Sequence, residues 1–232
     1  MDDRQPSQTA LAAAAARAAH LVVDQEPPIF RDPVAADLIG EPGAEMVGYH
    51  RRSGDHIVLA GTRAQVSVRS RYTEQVLSEL ADRGLTQYVI LGAGLDSSAY
   101  RSPLAGRLRV FQVDHPVSQR WKRDLLAAAR LTPPDGLAAG SELVMEYALP
   151  PELRDQTGQA YADFALPVAA ERGEPWLSFL TPEQLSGLLA ANGLTVAEQV
   201  RQQDAVPAAL WRRTDALHPA DLCRLARATV SG

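Results

Sequence analysis

The chain has 232 residues, 46% hydrophobic and 22% charged, enough for one sizeable domain with a buried core. A net charge of −5 argues against a surface built for general nucleic-acid or anionic-membrane binding. The single cysteine, Cys223, excludes an intrachain disulfide and a thiolate metal cluster, and the five histidines show no helical ligand spacing, so no metal is expected.

The Met-Asp-Asp-Arg start lacks the basic opening and greasy core of a secretory signal, and no apolar run is long enough to span a membrane. A reducing, cytoplasmic setting is expected. Residues 7–23 read as a helix capped by Ser7, with Leu11, Ala14, Ala15, Ala18, Leu21 and Val22 as its apolar face. Asp32-Pro33 opens a second short helix that Gly40 ends, and residues 40–54 read as loop. A long helix follows over 56–83, with Val68, Tyr72, Val76 and Leu80 four apart on one face. The apolar run 87–91, bounded by turn residues, reads as a buried parallel strand. A glycine bend and a short helical segment lead to a second strand over 109–113, and Pro116 to Leu131 reads as a helix. Thr132-Pro-Pro-Asp-Gly136 is a break. A strand over 142–147, a largely helical stretch over 150–173 and strands over 194–200 and 222–230 complete the chain. Thr181-Pro-Glu-Gln184 is a capping box with proline in the first turn, and its helix ends at Gly193. Strands alternating with helices predict a parallel-type α/β sheet.

The most informative segment is the strand ending at Leu91, then Gly92-Ala-Gly-Leu-Asp-Ser97, then helix. Glycines there let the backbone turn sharply and approach a ligand closely. The second strand ends in Asp114, 20 residues after Gly94, the spacing at which an acid accepts hydrogen bonds from a ribose diol. A dinucleotide would set its pyrophosphate here and wants a third glycine, where this chain has Ser97. The Asp96 carboxylate would repel a pyrophosphate but tolerates the sulfonium and ammonium of S-adenosylmethionine. Asp96 and Ser97 are equally readable as helix caps and the glycines as a bare tight turn, while for Asp114 its position favours the ribose role over that of a solvated turn acid.

Three segments resemble the leucine carboxyl methyltransferase family, and more closely its bacterial branch of polyketide O-methyltransferases and related class I S-adenosylmethionine-dependent methyltransferases. They are Val68-Arg-Ser-Arg-Tyr72, Val89-Ile-Leu-Gly-Ala-Gly-Leu-Asp-Ser-Ser-Ala-Tyr-Arg101 and Phe111-Gln-Val-Asp-His-Pro116. Gly173-Glu-Pro-Trp-Leu-Ser-Phe-Leu-Thr-Pro-Glu183 and Gly193-Leu-Thr-Val196 resemble that branch as well. The resemblance implies a Rossmann-like methyltransferase sheet with helices on both faces. It implies one domain over 1–232, with an N-terminal helical lid (1–55), a cofactor-binding half (56–136) and a cap insertion (150–180). It implies that S-adenosylmethionine is the cofactor. Arg69 would pair with the cofactor carboxylate, with Arg71 its neighbour in the motif; their other reading is a solvated helix face. Gly92 and Gly94 would lie under the methionine part, Asp96 would be the loop acid and Asp114 the ribose acid.

The chain departs from the family at one place. Leu137-Ala138 passes almost directly into Gly140-Ser-Glu-Leu-Val144, which matches the family's fifth strand, so a block holding the third and fourth strands is missing near residues 137–140. A lost central strand leaves a gap of about 4.8 Å in the hydrogen-bond direction and unpaired backbone groups beside it. Either the 142–147 strand slides into the vacancy, or the sequence omits residues, or binding is weakened or activity lost.

Methyl transfer to a carboxylate needs no strong base, whereas a hydroxyl acceptor does. No base stands out; His115 is as readily structural. Glu146, Tyr147, Tyr161 and Trp176 are candidates for the acceptor side, with packing the commoner role for such residues. Tyr161, Phe164, Trp176 and Phe179 would give an apolar lid over a hydrophobic small molecule. The expected activity is therefore O-methylation of a carboxylate or hydroxyl of a small acceptor, by a monomer or homodimer that binds no nucleic acid or membrane. Secondary metabolism is the expected setting. Two alternatives stand: a truncated, non-catalytic Rossmann-like binding protein, and an NAD(P)-dependent oxidoreductase.

Overall fold

The computed structural model describes residues 7–104, 106–114, 116–128 and 142–230. The chain is mixed α/β and divides into two compact units, one of residues 1–54 and 74–139, the other of 55–73 and 140–232.

In the first unit, helix α1 (Gln8–Val23) starts where the Ser7 hydroxyl accepts the Ala10 amide at 3.1 Å, which satisfies one of the orphan donors of a helix start. Its Leu11, Ala14 and Ala18 pack with Ala35, Ile39 and Leu95 in one apolar cluster. Leu95 belongs to the glycine bend, so the N-terminal helix and the bend share a core. Asp32-Pro33 opens only a 3-10 turn (Pro33–Ala35), and helix α2 (Gly40–Arg52) occupies the stretch expected to be loop. Gly40 begins a helix where it was expected to end one. The signal was present: Glu41 lies in the first turn and His50, Arg51 and Arg52 in the last, the charge order that complements a helix dipole.

Helix α3 (Ile57–Asp82) contributes its C-terminal part to this unit. Strands β1 (Gln87–Leu91) and β2 (Arg109–Val113) pair in parallel, in register from Gln87↔Arg109 to Leu91↔Val113. Helix α4 (Ser98–Arg101) and helix α5 (Pro116–Ala128) follow the bend and β2. Side chains alternate across the pleat. Tyr88 and Val110 pack against Leu77, Ala81, Leu104 and Leu108, whereas Val89, Leu91 and Val113 on the opposite face are 45%, 70% and 51% exposed. The strand expected to be buried on both faces is covered on one.

In the second unit, β3 (Glu142–Ala148), β4 (Leu194–Arg201) and β5 (Cys223–Val230) form an antiparallel sheet in the order β3-β5-β4. Helix α6 (Gln156–Glu171) and helix α7 (Pro182–Ala190) lie between β3 and β4 in sequence. This corrects the expectation of one parallel sheet. β3 and β4 do run the same way, as two strands joined through helices should. β5 follows β4 through a link holding only a 3-10 turn (Ala208–Trp211), and inserts between them in reverse. Leu185 and Leu189 of α7 pack with Tyr147, Leu149, Ala226 and Ala228. The capping box is formed: the Thr181 hydroxyl accepts the Gln184 amide at 3.2 Å, and the Gln184 side chain accepts the Thr181 amide at 2.8 Å. Thr181→Ala should therefore cost about 1 kcal/mol in urea denaturation.

Among the described residues the ladders of β1 and β3 run to β2 and β5 respectively, so the 142–147 strand is not hydrogen-bonded to the 87–91 strand. Residues 129–141, where the missing block would fall, and His115 lie outside the described residues.

Candidate functional site

The bend after β1 is held by two backbone amides that donate to the end of β2 and to the residue after it. The Ala93 amide donates to the Val113 carbonyl at 3.1 Å, and the Gly94 amide to the Asp114 carboxylate at 2.5 Å. Gly92 and Gly94 both take positive φ, +64° and +44°, the region an L side chain enters only with strain. A Cβ on Gly92 would meet nothing within 4 Å, so the backbone is open there. A Cβ on Gly94 would lie 2.9 Å from the Ala10 Cβ of α1, so that side of the bend is covered.

Asp96 accepts the Ser98 amide at 2.9 Å and the Ser98 hydroxyl at 2.5 Å, a local turn that satisfies the first amide of α4, whereas Ser97, the N-cap residue, makes no side-chain cap bond. Gly92, Gly94, Asp96 and Asp114 thus come together in the first unit. Arg69 belongs to the second, where it pairs with Glu146 at 2.7 Å; Arg71 is half-buried in the same unit. Tyr161 is buried and its hydroxyl lies 2.9 Å from that of Thr62, Tyr147 donates to Gln199 at 2.5 Å, and Trp176 packs in the cluster around Tyr161. For these three, packing is what the structure displays. Phe164 is half exposed and meets the His56 ring edge-on at 5.4 Å, and Arg154 stacks over Phe179 at 5.2 Å.

Sequence reasoning missed the polar network beneath the bend. Asp32, fully buried, accepts from Arg17 Nε at 2.8 Å, from the Ser97 hydroxyl at 2.6 Å and from the Ala35 amide at 3.0 Å, and Arg101 Nε lies 3.1 Å from it. Arg17 also donates to the Leu95 carbonyl at 2.7 Å, and Arg101 pairs with Glu74. Burial alone would push the Asp32 carboxyl up, but Arg17, the Ser97 hydroxyl and Arg101 together outweigh it and hold it below its ordinary value. Burial wins at Glu74, whose carboxyl is raised despite Arg101. One signal was available: Arg17 stands three residues after Ala14 on the apolar stripe of its helix, and a charge inside such a stripe needs a buried partner.

Two small cavities accompany the described residues. One is lined by Gly61, Gln65, Tyr161, Gln202, Leu222 and Cys223, the other by Leu77, Tyr88, Ser98, Leu104 and Val110; neither is lined by Gly92, Gly94 or Asp114.

The family model for leucine carboxyl methyltransferase matches residues 10–193. The chain belongs to this family. The match takes in most of α1, the glycine bend, Asp114 and the helices after β3, in chain order. Individual relatives agree. The chain is 36% identical over 158 residues to the Bacillus subtilis protein named "Putative S-adenosyl-L-methionine-dependent methyltransferase YktD", covering 59% of this chain and 52% of that one. It is 34% identical over 188 residues to a protein of the same description from Saccharopolyspora erythraea, covering 78% and 61%. A Mycobacteroides abscessus protein so described is 36% identical over 126 residues, covering 54% and 41%. The chain therefore spans about half the length of these relatives.

Proposed function

We propose that this family member binds S-adenosylmethionine at the bend over residues 92–97 and transfers its methyl group to a carboxylate or hydroxyl oxygen of a small, hydrophobic acceptor. The observation that carries the reading is the Asp114 carboxylate accepting the Gly94 amide, two residues from Gly92, whose backbone is open. The residues present fit the group. Gly92 leaves room for close approach, and Asp96 places negative charge where an ammonium and a sulfonium would lie. The bound cofactor supplies an electrophilic methyl carbon; the chain's task is to hold the acceptor oxygen in line with it. We assign the ribose role to Asp114 and, on the family resemblance alone, the carboxylate role to Arg69, which pairs with Glu146 within the second unit. The Rossmann-like sheet of the longer relatives and the lid role of the N-terminal helices belong to the same proposal, as do a cytoplasmic setting and a place in secondary metabolism. Among the described residues no helix is long and apolar enough to cross a membrane.

Calorimetric titration with S-adenosylhomocysteine tests the reading. Asp114→Ala should weaken binding by about 30-fold or more, since a charge-assisted pair of ribose hydrogen bonds is lost. Binding of a nicotinamide dinucleotide in place of S-adenosylhomocysteine would overturn it. A second reading, binding without turnover, is favoured by the exposed face of the β1–β2 pair. It predicts S-adenosylhomocysteine affinity with no methyl transfer to any fatty or aromatic carboxylate.

A further inference from the structure

Helix α5 turns two polar side chains into the interior of the first unit. Ser118 and Lys122, one helical turn apart, are 2% and 1% exposed, and neither the Ser118 hydroxyl nor the Lys122 ammonium has a hydrogen-bond partner among the described residues. A buried, unpaired ammonium is among the most costly groups a core can hold, and a methionine would fill the same space at no such cost. Its surroundings explain what it offsets. The charged groups that act on it are the carboxylates of Asp96 and Asp114, which attract it, and the Arg17 guanidinium, which repels it. The Tyr100 ring lies 5.8 Å from Nζ. Both acids belong to one bend, where Asp114 accepts the Gly94 amide and the Asp96 amide donates to the Ala93 carbonyl at 2.8 Å, and Trp121 and Leu125 of α5 pack against the cluster that holds Leu95 of that bend.

We propose that Lys122 is a positioning residue of the cofactor site, supplying from the helix packed behind the bend a positive charge that helps hold Asp96 and Asp114 in place for the ligand. The inference rests on the S-adenosylmethionine reading given above. It assigns Lys122 no contact with the reacting atoms; it acts through the two acids that face the ligand. Retaining a stability-costing charge is explained by the affinity it confers. Burial pushes the Lys122 ammonium down to about 8, only partly opposed by the two carboxylates, so its charge is present at neutral pH and lost just above it.

The test compares wild type with Lys122→Met in two measurements: calorimetric Kd for S-adenosylhomocysteine from pH 6.5 to 9.5, and thermal denaturation at pH 7. Wild type should bind at pH 7 and weaken as pH rises through 8. Lys122→Met should bind at least tenfold more weakly at pH 7 and lack that limb of the profile, while melting several degrees higher. The ligand's own amino group titrates alike in both proteins and cancels in the comparison. Equal affinity with the same pH profile in the two proteins would overturn the role of Lys122 and leave the cofactor reading intact. A Lys122→Met protein that melts lower, or fails to fold, would overturn it as well, because then the lysine is structural. If wild type binds no S-adenosylhomocysteine at pH 7, the cofactor reading itself fails and Lys122 with it.

Discussion

Asp32→Ala should destabilise the chain by about 3–5 kcal/mol in urea denaturation at pH 7, the cost of leaving buried charges without their partner. Arg17 and Arg101 would face each other without the carboxylate that joins them, and the Ser97 hydroxyl and Ala35 amide would lose their acceptor. The effect should depend on pH. The folded state holds the Asp32 carboxyl below its ordinary value, so its contribution is fully present above the unfolded value near 4. It is lost as pH falls through the lower, folded value. The gap in stability between wild type and Asp32→Ala should therefore narrow below pH 4, and a loss under 1 kcal/mol at pH 7 would show that the network is expendable. Because Arg17 also donates to the Leu95 carbonyl, the same substitution should loosen the bend and weaken S-adenosylhomocysteine binding.

Gly94→Val should be the most damaging single change in the bend. Two costs add: a φ of +44° disfavours any L residue by about 1–2 kcal/mol, and a β-branched one by more. The new Cβ would also sit 2.9 Å from the Ala10 Cβ, on a helix whose position is fixed by the core around Leu11 and Ala14. A loss of about 2–4 kcal/mol in stability and of more than tenfold in S-adenosylhomocysteine affinity is expected. Gly92→Ala supplies the control. It carries a backbone cost of the same kind at φ +64° but meets nothing within 4 Å. If the two substitutions have equal effects, the contact with Ala10 carries no weight.

Much of this was legible in the residues. The runs 87–91 and 109–113 are short, rich in β-formers and bounded by turn residues, and their bounds are those of β1 and β2. The bend and Asp114 could be paired in advance because a strand–loop–helix–strand path fixes where the second strand ends. The family was legible for the same reason, its motifs lying on that path. Sheet partition was not. Alternation along a chain tells which strands share a direction, but the reversed insertion of β5 depends on a link that carries no helical pattern. Helix α2 was hidden by Gly40, Pro42 and Gly43, which individually signal loop, while its charge order along the axis was overlooked. Arg17, Asp32 and Lys122 were missed because each is a single polar residue within an otherwise apolar or unremarkable stretch. Such a residue shows its role only when its partners, distant in sequence, are known.

The one thiol of the chain sits where it can serve as an internal clock of opening. Cys223 is buried at the start of β5, accepts from the Gln65 side chain at 3.2 Å, and is raised well above the ordinary thiol range by burial, so in the closed molecule it is neither reachable nor nucleophilic. A disulfide reagent added to native protein can therefore react only during excursions that free β5. With no second sulfhydryl to confuse the signal, the labelling rate timestamps those excursions in the unit that holds the antiparallel sheet.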